Sequence, residues 1–201
     1  MPYPITRAAR TAALVAAASA LAAVSTGCTP GADDNAAASP GYVSEDGSVR
    51  TWEPGQRPGP VVVTGTDYEG RAVDTGDWLG DVLVINTWYA ACPPCRAEAP
   101  TLATLARDRA EQGVRVLGIN VEDAAGAALA FQNTFDIPYP SIEDRDGLAV
   151  ASLSGVVPLQ AVPTTVVLDH QGRVAARIVG LAEESTLNSL VGDVVAESPV
   201  Q

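Results

Sequence analysis

Two cysteines with two residues between them, Cys92-Pro93-Pro94-Cys95, stand where an apolar run meets a helical pattern. No other feature of the chain restricts its fold as strongly. The run Val82-Leu83-Val84-Ile85-Asn86-Thr87-Trp88 is nearly continuous, as in a strand buried on both faces. Over residues 93–112, Ala97, Leu102, Leu105 and Ala106 recur near helical spacing, and Gly113 supplies a stop. The two-residue spacing brings the thiols within disulfide reach in the first helical turn. A helix N-terminus offers free N–H groups and a positive dipole end to the leading sulfur. Both effects favour thiolate at Cys92, the nucleophilic form. Pro93 and Pro94 carry no N–H, so that tuning falls to Cys95 and the residues after it.

Other uses of such a pair fit less well. A structural disulfide needs no such placement. Zinc needs four ligands, and beside this pair the chain offers one distant imidazole, His170. Haem attachment needs His directly after the second cysteine, where this chain has Arg96. Composition removes further mechanisms. All 12 basic residues are Arg, so no Schiff-base or P-loop lysine exists. One His excludes a two-imidazole site, and Met1 is the single methionine. A metal site is not expected, and no cofactor is expected beyond the redox-active pair. The formal charge of −12 argues against nucleic acid or anionic lipid as the main electrostatic partner.

The rest of the chain alternates strands and helices. Residues 61–64 and 71–73, around a Gly-containing turn, predict a short hairpin. A second buried strand is predicted at 114–121, helices at 124–135 and 146–153, and strands at 164–168 and 174–179. The last two flank the turn Asp169-His170-Gln171-Gly172-Arg173. An amphipathic helix over 183–196 closes the chain, with Leu187, Leu190 and Val194 on one face. This order implies an α/β sandwich around a mixed central sheet flanked by helices.

The N-terminus accounts for the third cysteine. Arg7 and Arg10 precede a short apolar run ending at Ser25-Thr26-Gly27-Cys28, the anatomy of an export signal over residues 1–27. This resembles the lipobox of bacterial lipoproteins, in which the cysteine is acylated and becomes the new N-terminus. The pattern departs at Ser25, where lipoproteins usually carry Leu, Val or Ile. An ordinary secretory signal that leaves a free thiol is the alternative. Processing leaves 10 basic side chains against 24 acidic ones, a charge of −14. Residues 28–59, rich in Gly, Pro, Ala and Asp, are predicted as a flexible tether, although Tyr42 and Trp52 leave room for order in its second half. The folded domain is expected over 60–201.

Taken together, the strand, the run from Trp88 through Cys92-Pro93-Pro94-Cys95-Arg96 to Glu98 and Pro100, and Val162-Pro163-Thr164-Thr165 before a later strand resemble the thioredoxin fold. More narrowly they resemble the membrane-tethered TlpA/ResA branch of thiol–disulfide oxidoreductases, in which residues 121–161 match an inserted strand–helix segment. The resemblance implies Cys92 as attacking thiol, Cys95 as resolving thiol and Glu98 as acid–base group. It places Pro163 at a cis-proline beside the site, with Val162 offering backbone hydrogen bonds to substrate. Trp88, Pro93 and Pro94 complete the expected substrate surface. Asn86 stands where thioredoxin itself has a buried Asp. Ala91 departs from relatives with an aromatic residue before the first cysteine.

The function expected is that of a monomeric, lipid-anchored oxidoreductase on the extracytoplasmic face of the cell membrane. It would act on protein thiols and disulfides, apocytochrome c among them, with electrons from a membrane thiol donor. A disulfide oxidase or isomerase would use the same residues. A thiol peroxidase would need Thr or Ser at position 89, which is Tyr. A non-catalytic binding lipoprotein is the remaining class.

Overall fold

All seven residues of the central strand are buried, as a strand covered on both faces requires. The computed structural model describes residues 41–158 and 161–197, so Cys28 and the predicted signal lie outside the described residues. Its strands are β1 (Val49–Thr51), β2 (Thr64–Thr66), β3 (Ala72–Asp74), β4 (Val82–Trp88), β5 (Val114–Asn120), β6 (Ser141–Glu143), β7 (Thr164–Leu168) and β8 (Val174–Val179). The α-helices are α1 (Pro93–Asp108), α2 (Ala125–Thr134), α3 (Leu148–Ala151) and α4 (Glu184–Val195). Six strands form one mixed sheet in the order β1-β8-β7-β4-β5-β6, with β2 and β3 paired separately. Strands β4, β5 and β6 run parallel, and β7, β8 and β1 add antiparallel neighbours. No helix among the described residues is long and apolar enough to cross a membrane.

Alternation along the strands divides the core. Leu83, Ile85, Leu117 and Ile119 face one side, with Val63, Trp52 and Leu153. Val82, Val84, Val116 and Val167 face the other, against Leu102 and Leu105 of α1 and Leu187 and Val191 of α4. The antiparallel pairing of β4 with β7 sets Thr87 opposite Thr164, so the C-terminal end of one strand meets the N-terminal end of the other. The topology thereby brings residues 92–95 and 162–163 to the same end of the sheet.

Several elements differ from expectation. The hairpin begins at Thr64 instead of Val61. Val61 N–H donates to the Gly172 carbonyl and Val63 is fully buried, which draws the start of the apolar run away from the ladder. The helix expected over 146–153 is α-helical only over α3, whose first N–H groups donate to the buried Asp144 carboxylate. The domain boundary at 59/60 is also corrected. Within the predicted tether, β1 pairs with β8, and Trp52 is buried with its N–H donating to Ala175. Arg57 reaches Asp169 at 3.0 Å and Glu197 at 2.6 Å with its side chain almost wholly buried. Three residues of strand among Gly and Pro carry no readable period, so only these tertiary partners reveal the order.

Candidate active site

Cys92 caps the N-terminus of α1, and Pro93 and Pro94 open it. Neither proline has an N–H, so the first donor along the helix is Cys95 N–H, which donates to Cys92 Sγ at 3.2 Å. This places an N–H donor of Cys95 on the leading sulfur in the disulfide form. The two cysteines form a disulfide, with Cα atoms 5.3 Å apart. Both are buried in this form, at 1% and 2% exposure, while Ala91 and Pro93 beside Cys92 are exposed and Pro94 is half-buried. Pro100 lies inside α1 and has no N–H to donate to the Arg96 carbonyl.

Glu98 shares the inner face of α1 with Cys95, three residues away. It is 1% exposed. Asn86 Nδ2 donates to one carboxyl oxygen at 2.7 Å, and Ala182 N–H donates to the other at 2.8 Å. Burial pushes the Glu98 carboxyl up to about 7, against the opposing effect of both donors. A group with that pKa exchanges its proton near neutrality, as an acid–base residue needs. Asn86 also donates to Thr165 Oγ1 at 3.1 Å, tying β4 to β7 beneath the site.

The Val162–Pro163 peptide bond is cis. Pro163 is held at both flanks, its carbonyl accepting from Gly180 N–H at 2.8 Å and Thr164 N–H donating to Thr87 Oγ1 at 2.9 Å. Val162 packs against the cluster that contains both cysteines. Trp88 is placed differently from expectation. At 4% exposure it offers substrate no surface; it stacks on Phe131 of α2 with ring centroids 4.4 Å apart and supports the site from below. Alternation along β4 turns Trp88 to the same side as Asn86, into the core.

Further residues that sequence reasoning missed hold the loop before Cys92. Asp123 Oδ2 accepts Ala90 N–H at 2.5 Å and Asn120 Nδ2 at 2.9 Å. Arg96 Nη1 donates to the Ala90 carbonyl at 3.2 Å, while its guanidinium lies 5.1 Å from the Phe135 ring centroid. Tyr68 donates to the Asp123 carbonyl at 3.2 Å. An Asp just past the end of a buried strand, at the carboxyl edge where sites form, is the signal available for Asp123.

The Redoxin family model matches residues 53–193. The thiol:disulfide interchange protein DsbE of Pseudomonas aeruginosa is 36% identical over 115 residues, 57% of this chain and 59% of that protein. The thiol-disulfide oxidoreductase ResA of Bacillus thuringiensis is 30% identical over 115 residues, 57% of this chain and 64% of that protein. The chain therefore spans under two thirds of the length of these relatives. Among solved structures, a secreted thiol-disulfide isomerase from Corynebacterium glutamicum superposes with a TM-score of 0.69 at 29% identity, over 78% of this chain and 98% of that one.

Proposed function

The chain belongs to the Redoxin family within the thioredoxin superfamily, and from that premise we propose that it is a thiol–disulfide oxidoreductase that reduces protein disulfides. The observation that carries this reading is the Cys92–Cys95 disulfide at the start of α1, with Cys95 N–H on Cys92 Sγ and the buried Glu98 on the same helix face. In the reduced protein, Cys92 thiolate attacks one sulfur of a substrate disulfide, and the other substrate sulfur leaves as thiolate. Cys95 then loses its proton, and its thiolate displaces the substrate from Cys92. The substrate gains two electrons, and the Cys92–Cys95 disulfide forms. Glu98 is the buried group beside the pair suited to exchanging protons at neutral pH.

Cysteines of apocytochrome c awaiting haem are the substrate class we assign, with a membrane thiol donor restoring the dithiol. The names of the ResA and DsbE relatives support thiol–disulfide exchange. The assignment to cytochrome maturation and the donor is our own inference. We also propose that Cys28 carries a lipid that holds the monomeric protein at the extracytoplasmic face of the membrane. A second reading, oxidation or isomerisation of disulfides in exported proteins, draws support from the likeness to the secreted Corynebacterium isomerase.

The test is Cys95→Ser expressed in the source cells. The reading expects a stranded mixed disulfide with a cytochrome apoprotein, and Cys92→Ser should trap nothing. No trapped species and no exchange with a model disulfide would sink it. A reduction potential well above about −200 mV would favour the oxidase reading.

A further inference from the structure

A small cavity of about 10 Å³ lies against Cys95, lined by Asn86, Trp88, Tyr139 and Ser141 among others. That is room for about one water molecule. Ser141, the first residue of β6, is 1% exposed, and its hydroxyl has no hydrogen-bond partner among the described residues. An unpaired buried hydroxyl is costly and calls for an explanation. The register supplies one. Asn86, Gly118 and Ser141 stand side by side across β4, β5 and β6, so the hydroxyl shares a rung with the amide that holds Glu98. Gly118 keeps the rung open. A Cβ there would come within 2.2 Å of Ser141 Oγ and 2.7 Å of Trp88 Nε1. Three lining residues of the cavity, Ile137, Tyr139 and Ser141, also line a groove of about 720 Å³ bounded by the β2–β3 hairpin and the α2–β6 connection.

We propose that Ser141 holds a water molecule against Cys95, that this water hydrogen-bonds the Cys95 thiolate, and that the Cys95 proton leaves through it toward the groove. Ser141 is then a positioning residue for the resolving step, which rests on the reading of Cys95 as the resolving thiol. The proton passes from Cys95 Sγ to the water and by exchange to solvent. The electron pair stays on sulfur and forms the bond to Cys92 as substrate thiolate departs. The charged and titratable groups around Cys95 are Cys92, Glu98 and Arg96 on α1, Tyr139 at the cavity, and Tyr68 and Tyr89 in the same cluster, with Asp123 reaching Ala90. Ser141→Ala leaves every one of them in place, so a change in Cys95 isolates the water.

The experiment follows the ¹³Cβ shifts of both cysteines against pH in the reduced protein, wild type and Ser141→Ala. The expected result is about tenfold less Cys95 thiolate at a given pH below its pKa, one pKa step, with Cys92 changing less. Superimposable Cys95 curves overturn the proposal, and so does a Ser141→Ala protein that is more stable with an unchanged Cys95. In the wild-type protein, magnetisation transfer from a long-lived water to the Trp88 indole N–H is expected. Its absence also overturns the proposal and needs no variant to fold. Neither measurement uses substrate, so a failure of the oxidoreductase reading would show separately, as lost exchange beside an intact Cys95 effect.

Discussion

The Glu98 carboxyl accepts two hydrogen bonds, yet burial still raises its pKa from 4.5 to about 7. Between those values the folded protein holds a proton that the unfolded chain has released. The stability from this group is therefore fully present below about pH 4.5 and is lost as pH rises through about 7. At 1.36 kcal/mol per pKa step the loss is about 3 kcal/mol. Urea denaturation of the oxidised protein at a series of pH values should show that decline, and Glu98→Gln should flatten it. Asp123 acts at the same scale. Its carboxylate holds the Ala90 N–H two residues before Cys92. Asp123→Ala should lower stability by about 1–3 kcal/mol, since it strands the Ala90 donor. It should also speed exchange of the Ala90 amide at least tenfold while amides in β4 keep their protection, as read by native-state hydrogen exchange.

Among the elements, those whose signal is local were legible in sequence. Strand β4 matches the apolar run residue for residue, and α1 begins at Pro93 as its prolines and cap indicate. The β7–β8 turn was legible because Asp169 and Gly172 are turn residues. Its carboxylate accepts Gln171 N–H, Arg173 N–H and Arg173 Nε. The β2–β3 turn repeats this arrangement, with Asp67 accepting Glu69 N–H, Arg71 N–H and Arg71 Nε around Gly70. Strand β1 was not legible, because its three residues order only against β8 and through Arg57. Two truncations test its weight. Against a chain starting at Gly41, one starting at Pro60 exposes the β8 edge and leaves buried Asp169 with Arg173 but without Arg57. We expect a loss of about 3–5 kcal/mol in the second, measured by chemical denaturation.

At the scale of the whole molecule, net charge bears on the proposed membrane attachment. If the proposed signal over residues 1–27 is removed, the chain carries −14 and an anionic surface would repel it. The membrane attachment proposed above would then need the covalent lipid at Cys28. Cys28→Ser should move the protein from the membrane to the soluble fraction, whereas high salt should leave the wild type bound. Fractionation and mass spectrometry of the mature N-terminus check both expectations. By itself the sequence determined the α/β alternation, the cysteine pair at a helix start and the proline before β7. Such features depend on period, proline and glycine among near neighbours. Only the tertiary structure decided that Glu98 is buried, that Trp88 supports the site without lining it, and that Asp123 and Ser141 adjoin it. The partners involved are far apart in the chain: Glu98 meets Ala182 across 84 positions, and Arg57 meets Glu197 across 140. No local pattern encodes such contacts, because they exist only once the sheet has set its register.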